Sequence, residues 1–169
     1  MKIHCIFTGG TIDSYYEGSR DTAVPAKHSV IPRYLKNLKL YDQFQCTELC
    51  MKDSRAINAA DRKKLVHLIK RSKAKYILVT HGTYTMPDSA RFVEQHLPPP
   101  HQKNKIVIFT GSMIPLDGFT FSDGGFNLGY AISQFHCAAP GVYVAMNGKL
   151  FPAKTSTKII AQGRFAEIQ

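Results

Sequence analysis

The sequence predicts an α/β protein, a three-layer sandwich in which helices cover both faces of a mostly parallel sheet. Three observations carry this. Short apolar runs at residues 2–7, 45–51, 76–80, 106–110 and 142–146 alternate with segments of helical periodicity at 58–72, 88–97 and 122–137. The runs show little polar alternation, as parallel strands covered on both faces do. Strand and helix follow one another in chain order, which builds right-handed βαβ units.

The N-terminal run Ile3-His4-Cys5-Ile6-Phe7 is too short for a signal peptide and leads into a glycine turn, so it reads as a buried first strand. Residues 12–32 hold Ser, Gly, Asp, Lys and two Pro with few core-type side chains. They are expected to form a long loop, and loops of that length are commonly functional or disordered. The helix over 58–72 places Leu65, Leu68 and Ile69 on one side. That over 88–97 carries Ala90, Phe92, Val93 and Leu97 and stops before Pro98-Pro99-Pro100. The third carries Phe126, Leu128, Ala131, Ile132 and Phe135. No repeat or linker interrupts the 169 residues, so 1–169 is expected to be a single domain with a flavodoxin-like sheet.

Composition narrows the function classes. With 44% hydrophobic and 20% charged residues the chain is globular rather than disordered. No apolar run approaches the roughly 20 residues of a membrane span, so no membrane partner and a cytoplasmic location are expected. The net charge of +10 raises nucleic acid as a partner. The densest basic run, Arg62-Lys63-Lys64 with Lys70, Arg71, Lys73 and Lys75, reads instead as the solvated face of a helix. It lacks the interleaved aromatics of a single-strand binder, and no nucleic acid is expected. Cys5, Cys46, Cys50 and Cys137 read as small buried thiols, and the seven histidines lack ligand spacing, so no metal is expected. No Gly-x-Gly-x-x-Gly or Gly-Lys-Ser/Thr signature is present, which argues against a phosphate or flavin cofactor. The serine-hydrolase elbow Gly-x-Ser-x-Gly is also absent.

In open α/β sheets ligands bind at the carboxyl ends of the strands. Four such ends are rich in hydroxyls and glycine: Thr8-Gly9-Gly10-Thr11, Lys52-Asp53-Ser54-Arg55, Thr80-His81-Gly82-Thr83-Tyr84 and Thr110-Gly111-Ser112-Met113. One hydroxyl-rich turn means little, and four on one rim point to a site. Thr11 follows two glycines, where a backbone can approach a ligand closely, and is the candidate nucleophile. Thr83 can relay its proton to a desolvated lysine, and Tyr15 and Tyr16 can cover it from the following loop.

Thr8-Gly9-Gly10-Thr11-Ile12 together with Thr80-His81-Gly82-Thr83 resembles the bacterial-type L-asparaginase family. Asp53-Ser54, Thr110-Gly111-Ser112-Met113-x-Pro115, Asp123-Gly124-x-x-Asn127-Leu128, and Asn147 followed eleven residues on by Lys158 extend the match along the chain. The resemblance implies hydrolysis of L-asparagine to L-aspartate and ammonia, with a small-molecule substrate, no cofactor and a homo-oligomer. It implies Thr11 as nucleophile, Thr83 and Lys158 as the proton relay, and Tyr16 as the loop tyrosine beside the nucleophile. It implies that Ser54 holds the substrate carboxylate and that main-chain groups at Ser112 and Met113 face the substrate amide. Asp123 and Asn127 read as helix-start residues rather than catalysts, and Ser54 has an alternative use as a helix cap.

Three departures qualify the resemblance. Tyr84 stands where the family has an aspartate that contacts the substrate α-ammonium, and a tyrosine supplies no carboxylate at neutral pH. Arg55 follows Ser54 where well-known members have glutamine, and can grip a carboxylate bidentately. The chain resembles a short, single-domain form without the family's smaller C-terminal domain. The expected function is therefore an asparaginase impaired by Tyr84, with a non-catalytic amino-acid or amide binder as the alternative.

Overall fold

The computed structural model describes residues 1–118 and 120–168. In chain order it contains β1 (Lys2–Gly9), β2 (Ser14–Glu17), β3 (Thr22–Pro25), α1 (Ile31–Asn37), β4 (Gln43–Lys52), α2 (Ala59–Arg71), β5 (Tyr76–Thr80), α3 (Met86–His96), α4 (Pro99–Gln102), β6 (Ile106–Thr110), α5 (Gly124–Gln134), β7 (Gly141–Met146), β8 (Lys149–Pro152), β9 (Ser156–Ile159) and β10 (Arg164–Glu167). Short 3-10 turns lie at Thr11–Asp13, Ser54–Ala56 and Ile160–Gln162.

The central sheet has the order β4-β1-β5-β6-β7-β8. Its first five strands are parallel, and β8 returns antiparallel to β7. Alternate residues of each strand feed opposite layers. Ile6, Ile77, Val79, Val107 and Phe109 pack under α2 and α3 with Leu65, Ile69, Ala90 and Val93. Ile3, Cys5, Phe7, Leu78 and Ile108 pack under α1 and α5 with Ile31, Leu35, Leu128 and Ala131. The three-layer sandwich is the one the sequence predicts.

The five expected strands and three expected helices are present, shifted by a few residues. α2 starts one residue later because Asn58 caps it: its Oδ1 accepts from the N–H of Ala60 and Asp61, and Asp61 returns a bond to the Asn58 N–H at 3.1 Å. α3 begins earlier than expected, with Pro87 in its first turn, where a missing N–H costs nothing. α5 is shorter at both ends, Gly124–Gln134 against the expected 122–137.

The expected loop at 12–32 is the main correction. It contains a 3-10 turn, the β2–β3 hairpin and the start of α1. Ile12 and Ile31 are fully buried, so its ends are core segments. The short helix α1, the four-residue helix α4 and strands β8, β9 and β10 also escape the sequence reading. A four-residue strand gives too few periods for alternation to register. The thiols need correction too: Cys5 is buried, Cys50 is partly covered, and Cys46 and Cys137 are exposed.

Candidate active site

β1 lies between β4 and β5, so the chain leaves β1 to one side for β4 and then crosses to the other for β5. The segments after β1 and β5 lead to opposite helical layers at this switch point, the place where open α/β sheets form a crevice at the carboxyl edge. Three backbone segments meet there. The Gly10 N–H donates to the Lys52 carbonyl at 2.8 Å, and the Thr8 hydroxyl donates to the Thr80 carbonyl at 2.9 Å. Gly10 has φ 82° and ψ −176°, a region open almost only to glycine. A Cβ there would stand 2.3 Å from both N and Cα of Gly82. A Cβ on Gly82 would in turn stand 2.7 Å from the Ser54 Cβ. These glycines are what let the three turns touch.

A cleft of about 160 Å³ opens at this junction. It is smaller than the roughly 300–1,000 Å³ of drug-sized sites and suits a small substrate. Gly10 and Thr11 line it from the β1 turn, Asp53, Ser54 and Arg55 from the β4 turn, and Gly82, Thr83 and Tyr84 from the β5 turn. Met113, after β6, and Lys158, from β9, complete the lining.

Lys158 arrives by tertiary packing. The β9–β10 hairpin is anchored by Phe165 in the α2–α3 core layer and by the Arg91 guanidinium, which donates to the Ser156 carbonyl at 2.6 Å. This brings the Lys158 Nζ to 2.7 Å from the Thr83 Oγ1. Burial lowers the Lys158 pKa, and the neighbouring Arg55 charge lowers it further. The arrangement favours a neutral amine more than a surface lysine would. Across the mouth, the Arg55 guanidinium carbon sits 4.8 Å from the Tyr84 ring centroid, a cation–π contact.

The other expected site residues are placed as follows. The Asp53 carboxylate accepts the Arg55 N–H at 2.8 Å and caps the 3-10 turn that presents Ser54 and Arg55. Ser54 is buried; its carbonyl accepts the Thr85 hydroxyl at 2.7 Å, and the helix cap is Asn58 instead. Ser112 is buried and is not in the cleft lining, and its hydroxyl donates to the Ile114 carbonyl. Among the described residues neither Tyr15 nor Tyr16 is in the cleft lining. Tyr16 lies on β2, half exposed, with its hydroxyl donating to Asp21 across the hairpin.

Asp123 and Asn127 scaffold the Met113 turn. The Asp123 carboxylate accepts the N–H groups of Met113 and Ile114 at 3.0 and 3.1 Å. The buried Asn127 donates to the Gly111 carbonyl at 3.0 Å and to Asp123 at 2.9 Å, and accepts the Asn147 N–H at 3.2 Å. Asn147, at φ 55° in the β7–β8 turn, accepts the Phe165 N–H at 3.0 Å. Its side chain therefore ties the hairpin that carries Lys158 to the sheet.

Sequence reasoning missed Asp13, two residues after Thr11. Its carboxylate is fully buried and accepts the Ser29 hydroxyl at 2.8 Å and the Val30 N–H at 2.9 Å. Burial pushes its pKa up to about 6. Its one sequence signal was a charge beside an apolar Ile12. His81 is also buried; its Nδ1–H donates to the Gly82 carbonyl at 2.9 Å, and burial lowers its pKa to about 4, so the ring is neutral. Among the described residues no cluster of His, Cys, Asp or Glu could hold a metal, and no helix is long and apolar enough to cross a membrane.

Fold and cleft together define an α/β protein with a small polar cleft at its sheet switch point. Comparison with known proteins narrows this further. The chain belongs to the asparaginase family: the family described as "Asparaginase, N-terminal" matches residues 2–166. A glutaminase-asparaginase of Acinetobacter glutaminasificans is 27% identical, covering 90% of this chain and 48% of that protein. L-asparaginase I of Vibrio cholerae superposes with a TM-score of 0.79 at 26% identity, covering 98% of this chain and 51% of the other. The thermostable L-asparaginase of Thermococcus kodakarensis shares the fold, with a TM-score of 0.82 at 23% identity, covering 99% of this chain and 51% of the other. The chain thus spans about half the length of the relatives it matches.

Proposed function

We propose that this protein is an amidohydrolase that releases ammonia from a small carboxylate-bearing amide, with L-asparagine as the type substrate and Thr11 as the nucleophile. The observation that carries this is the Lys158–Thr83 contact of 2.7 Å in the cleft that Thr11 lines. Thr11 Oγ attacks the amide carbon while its proton passes through Thr83 to neutral Lys158. Backbone N–H groups near Thr11 and Thr83 stabilise the tetrahedral oxyanion. Collapse breaks the C–N bond, the amine takes a proton and leaves as ammonia, and an ester to Thr11 remains. Water then adds to the ester, forming the acid and restoring the Thr11 hydroxyl.

In this reading Ser54 and Arg55 hold the substrate carboxylate and Met113 borders the amide. Tyr16 serves only if the β2–β3 hairpin moves over Thr11. The protein is read as cytoplasmic and as a homo-oligomer; for the location, a structural neighbour from Campylobacter jejuni is titled a probable cytoplasmic L-asparaginase. Ammonia release from L-asparagine, compared between wild type and Thr11→Ala, tests the assignment. Mass spectrometry of quenched enzyme should place the acyl adduct on Thr11. An adduct on Thr83 reassigns the nucleophile.

Tyr84 favours a second reading, a binder of amides or amino acids without turnover. Calorimetry showing L-aspartate binding by a protein that releases no ammonia would select it.

A further inference from the structure

Cys5 on β1 and Cys46 on β4 are register partners in a parallel strand pair, so their side chains stand side by side on the face that α1 covers. Neighbouring strands lie about 4.8 Å apart, inside the roughly 4.4–6.8 Å between Cα atoms that a disulfide spans. The Cys5 thiol donates to the Cys46 sulfur. That donation lowers the Cys46 pKa, against a smaller opposing effect of burial, and favours the thiolate. Cys5 is fully buried, whereas Cys46 is exposed and lines a cleft of about 350 Å³ with Leu35, Lys36, Lys39 and Phe44. One thiol of the pair is open to a small reagent, and the other is reached through it. β4 is an edge strand, so no further strand resists a small approach of the two sulfurs.

The remaining thiols have other surroundings. Cys50 lies four residues further along β4, roughly 13 Å from Cys46 at about 3.3 Å per residue, and its Sγ donates to the Thr8 carbonyl at 3.6 Å. Cys137, beyond α5, is exposed, and its Sγ donates to the Gln134 carbonyl at 3.7 Å. We propose that Cys5 and Cys46 form a thiol-oxidation site, at which a peroxide oxidises Cys46 and Cys5 then closes a disulfide between β1 and β4. The Cys46 thiolate attacks one peroxide oxygen; the S–O bond forms, the O–O bond breaks, and the departing hydroxide takes a proton to become water. The Cys5 sulfur then attacks the Cys46 sulfur; the S–S bond forms, the S–O bond breaks, and the hydroxide leaves as water with the Cys5 proton. Two thiols are oxidised to one disulfide, and one peroxide is reduced to two waters. The proposal stands apart from the amidohydrolase reading.

The test treats the folded protein with hydrogen peroxide in the presence of dimedone, which traps sulfenic acids, and maps the peptides by mass spectrometry without reduction. Wild type should yield a peptide pair linking Cys5 to Cys46 within one chain, before Cys137 is oxidised, and dithiothreitol should separate the pair. Cys5→Ala should lose the link and carry dimedone on Cys46 instead. Cys46→Ser should leave Cys5 as a free thiol, because the buried sulfur is then without its exposed partner. A wild type that gives no linked pair by the time Cys137 is oxidised overturns the proposal, whether Cys46 is unchanged or carries dimedone. This outcome is read on wild type alone, so it holds even if a variant fails to fold.

Discussion

Lys158 Nζ stands 2.7 Å from Thr83 Oγ1 although 75 positions separate them in the chain. The hydroxyl belongs to the turn after a central strand, and the amine to a two-stranded hairpin docked on the helix that follows that turn. Neither has an obvious structural need for the other. A partly buried lysine aimed at a threonine in a cleft is the kind of contact that proton transfer requires.

Removing either end of that contact should therefore cost rate more than stability. Thr83→Val and Lys158→Met are each expected to lower kcat about 10²–10⁴-fold, the usual worth of a positioned proton acceptor. Denaturation midpoints should move little. A variant that unfolds but retains per-molecule activity would show the pair to be structural. The pH profile gives a second readout. Lys158 must be neutral to accept a proton, so kcat/KM should rise with pH along a limb below the ordinary lysine range, because burial and then Arg55 lower its pKa. Arg55→Gln removes the second cause and should move the limb upward.

Gly10→Ala is expected to be severe. Its Cβ would enter the backbone of Gly82 at 2.3 Å, and φ 82° with ψ −176° is strained for any L residue. The Thr8 hydroxyl, which donates to the Thr80 carbonyl at 2.9 Å, ties the ends of β1 and β5 together and resists their separation. Loss of about 3 kcal/mol or more is expected by urea denaturation, with activity lost together with it.

Asn127→Ala should unfasten the Met113 turn. Three hydrogen bonds from one buried side chain join that turn, α5 and the β7–β8 turn. Leaving their partners unsatisfied should cost about 3 kcal/mol, and the surviving fold should show a raised KM. An unchanged KM would mean that Met113 does not border the substrate.

Asp13 and His81 should give opposite pH dependences. Asp13 has a folded pKa of about 6 against an ordinary 3.8, so the folded state holds its proton more tightly. The stability this contributes is present below pH 3.8 and is lost as pH rises through about 6. His81 has a folded pKa of about 4 against 6.5, so its contribution is present above pH 6.5 and is lost as pH falls toward 4. The two slopes oppose each other across the same window. Asp13→Asn should therefore gain stability relative to wild type as pH rises from 4 to 7, by on the order of 2–3 kcal/mol. A difference between the two proteins that stays flat across that range would show that Asp13 does not titrate there.

Apolar runs and helical periods were enough to read the layer order and the parallel strands from the chain. That follows from physics local to a few residues: burial on both faces demands continuous apolar runs, and packing on a sheet demands an apolar helical stripe. The hydroxyl-rich turns were legible for a similar reason, since strand-end turns declare themselves by glycine and polar residues. The hairpin inside 12–32 and the β9–β10 hairpin were not legible, because short strands acquire their pairing from distant neighbours. Whether Tyr16 belongs to the site is a matter of where the β2–β3 hairpin sits, which no local pattern encodes.

By itself the sequence determined which chemical groups this protein can bring to a site: a threonine after two glycines, a second threonine after His81-Gly82, and a lysine near the C-terminal end. Only the tertiary structure decided which of them meet. Strand order placed the β1 and β5 turns side by side, glycines without Cβ atoms let those turns touch, and hairpin docking carried Lys158 to Thr83. It also decided the charge of the cleft, because Arg55, Lys158 and Tyr84 become one environment only when segments far apart in sequence are packed together. Electrostatics acts through space, and the chain order of the charges carries almost none of that information.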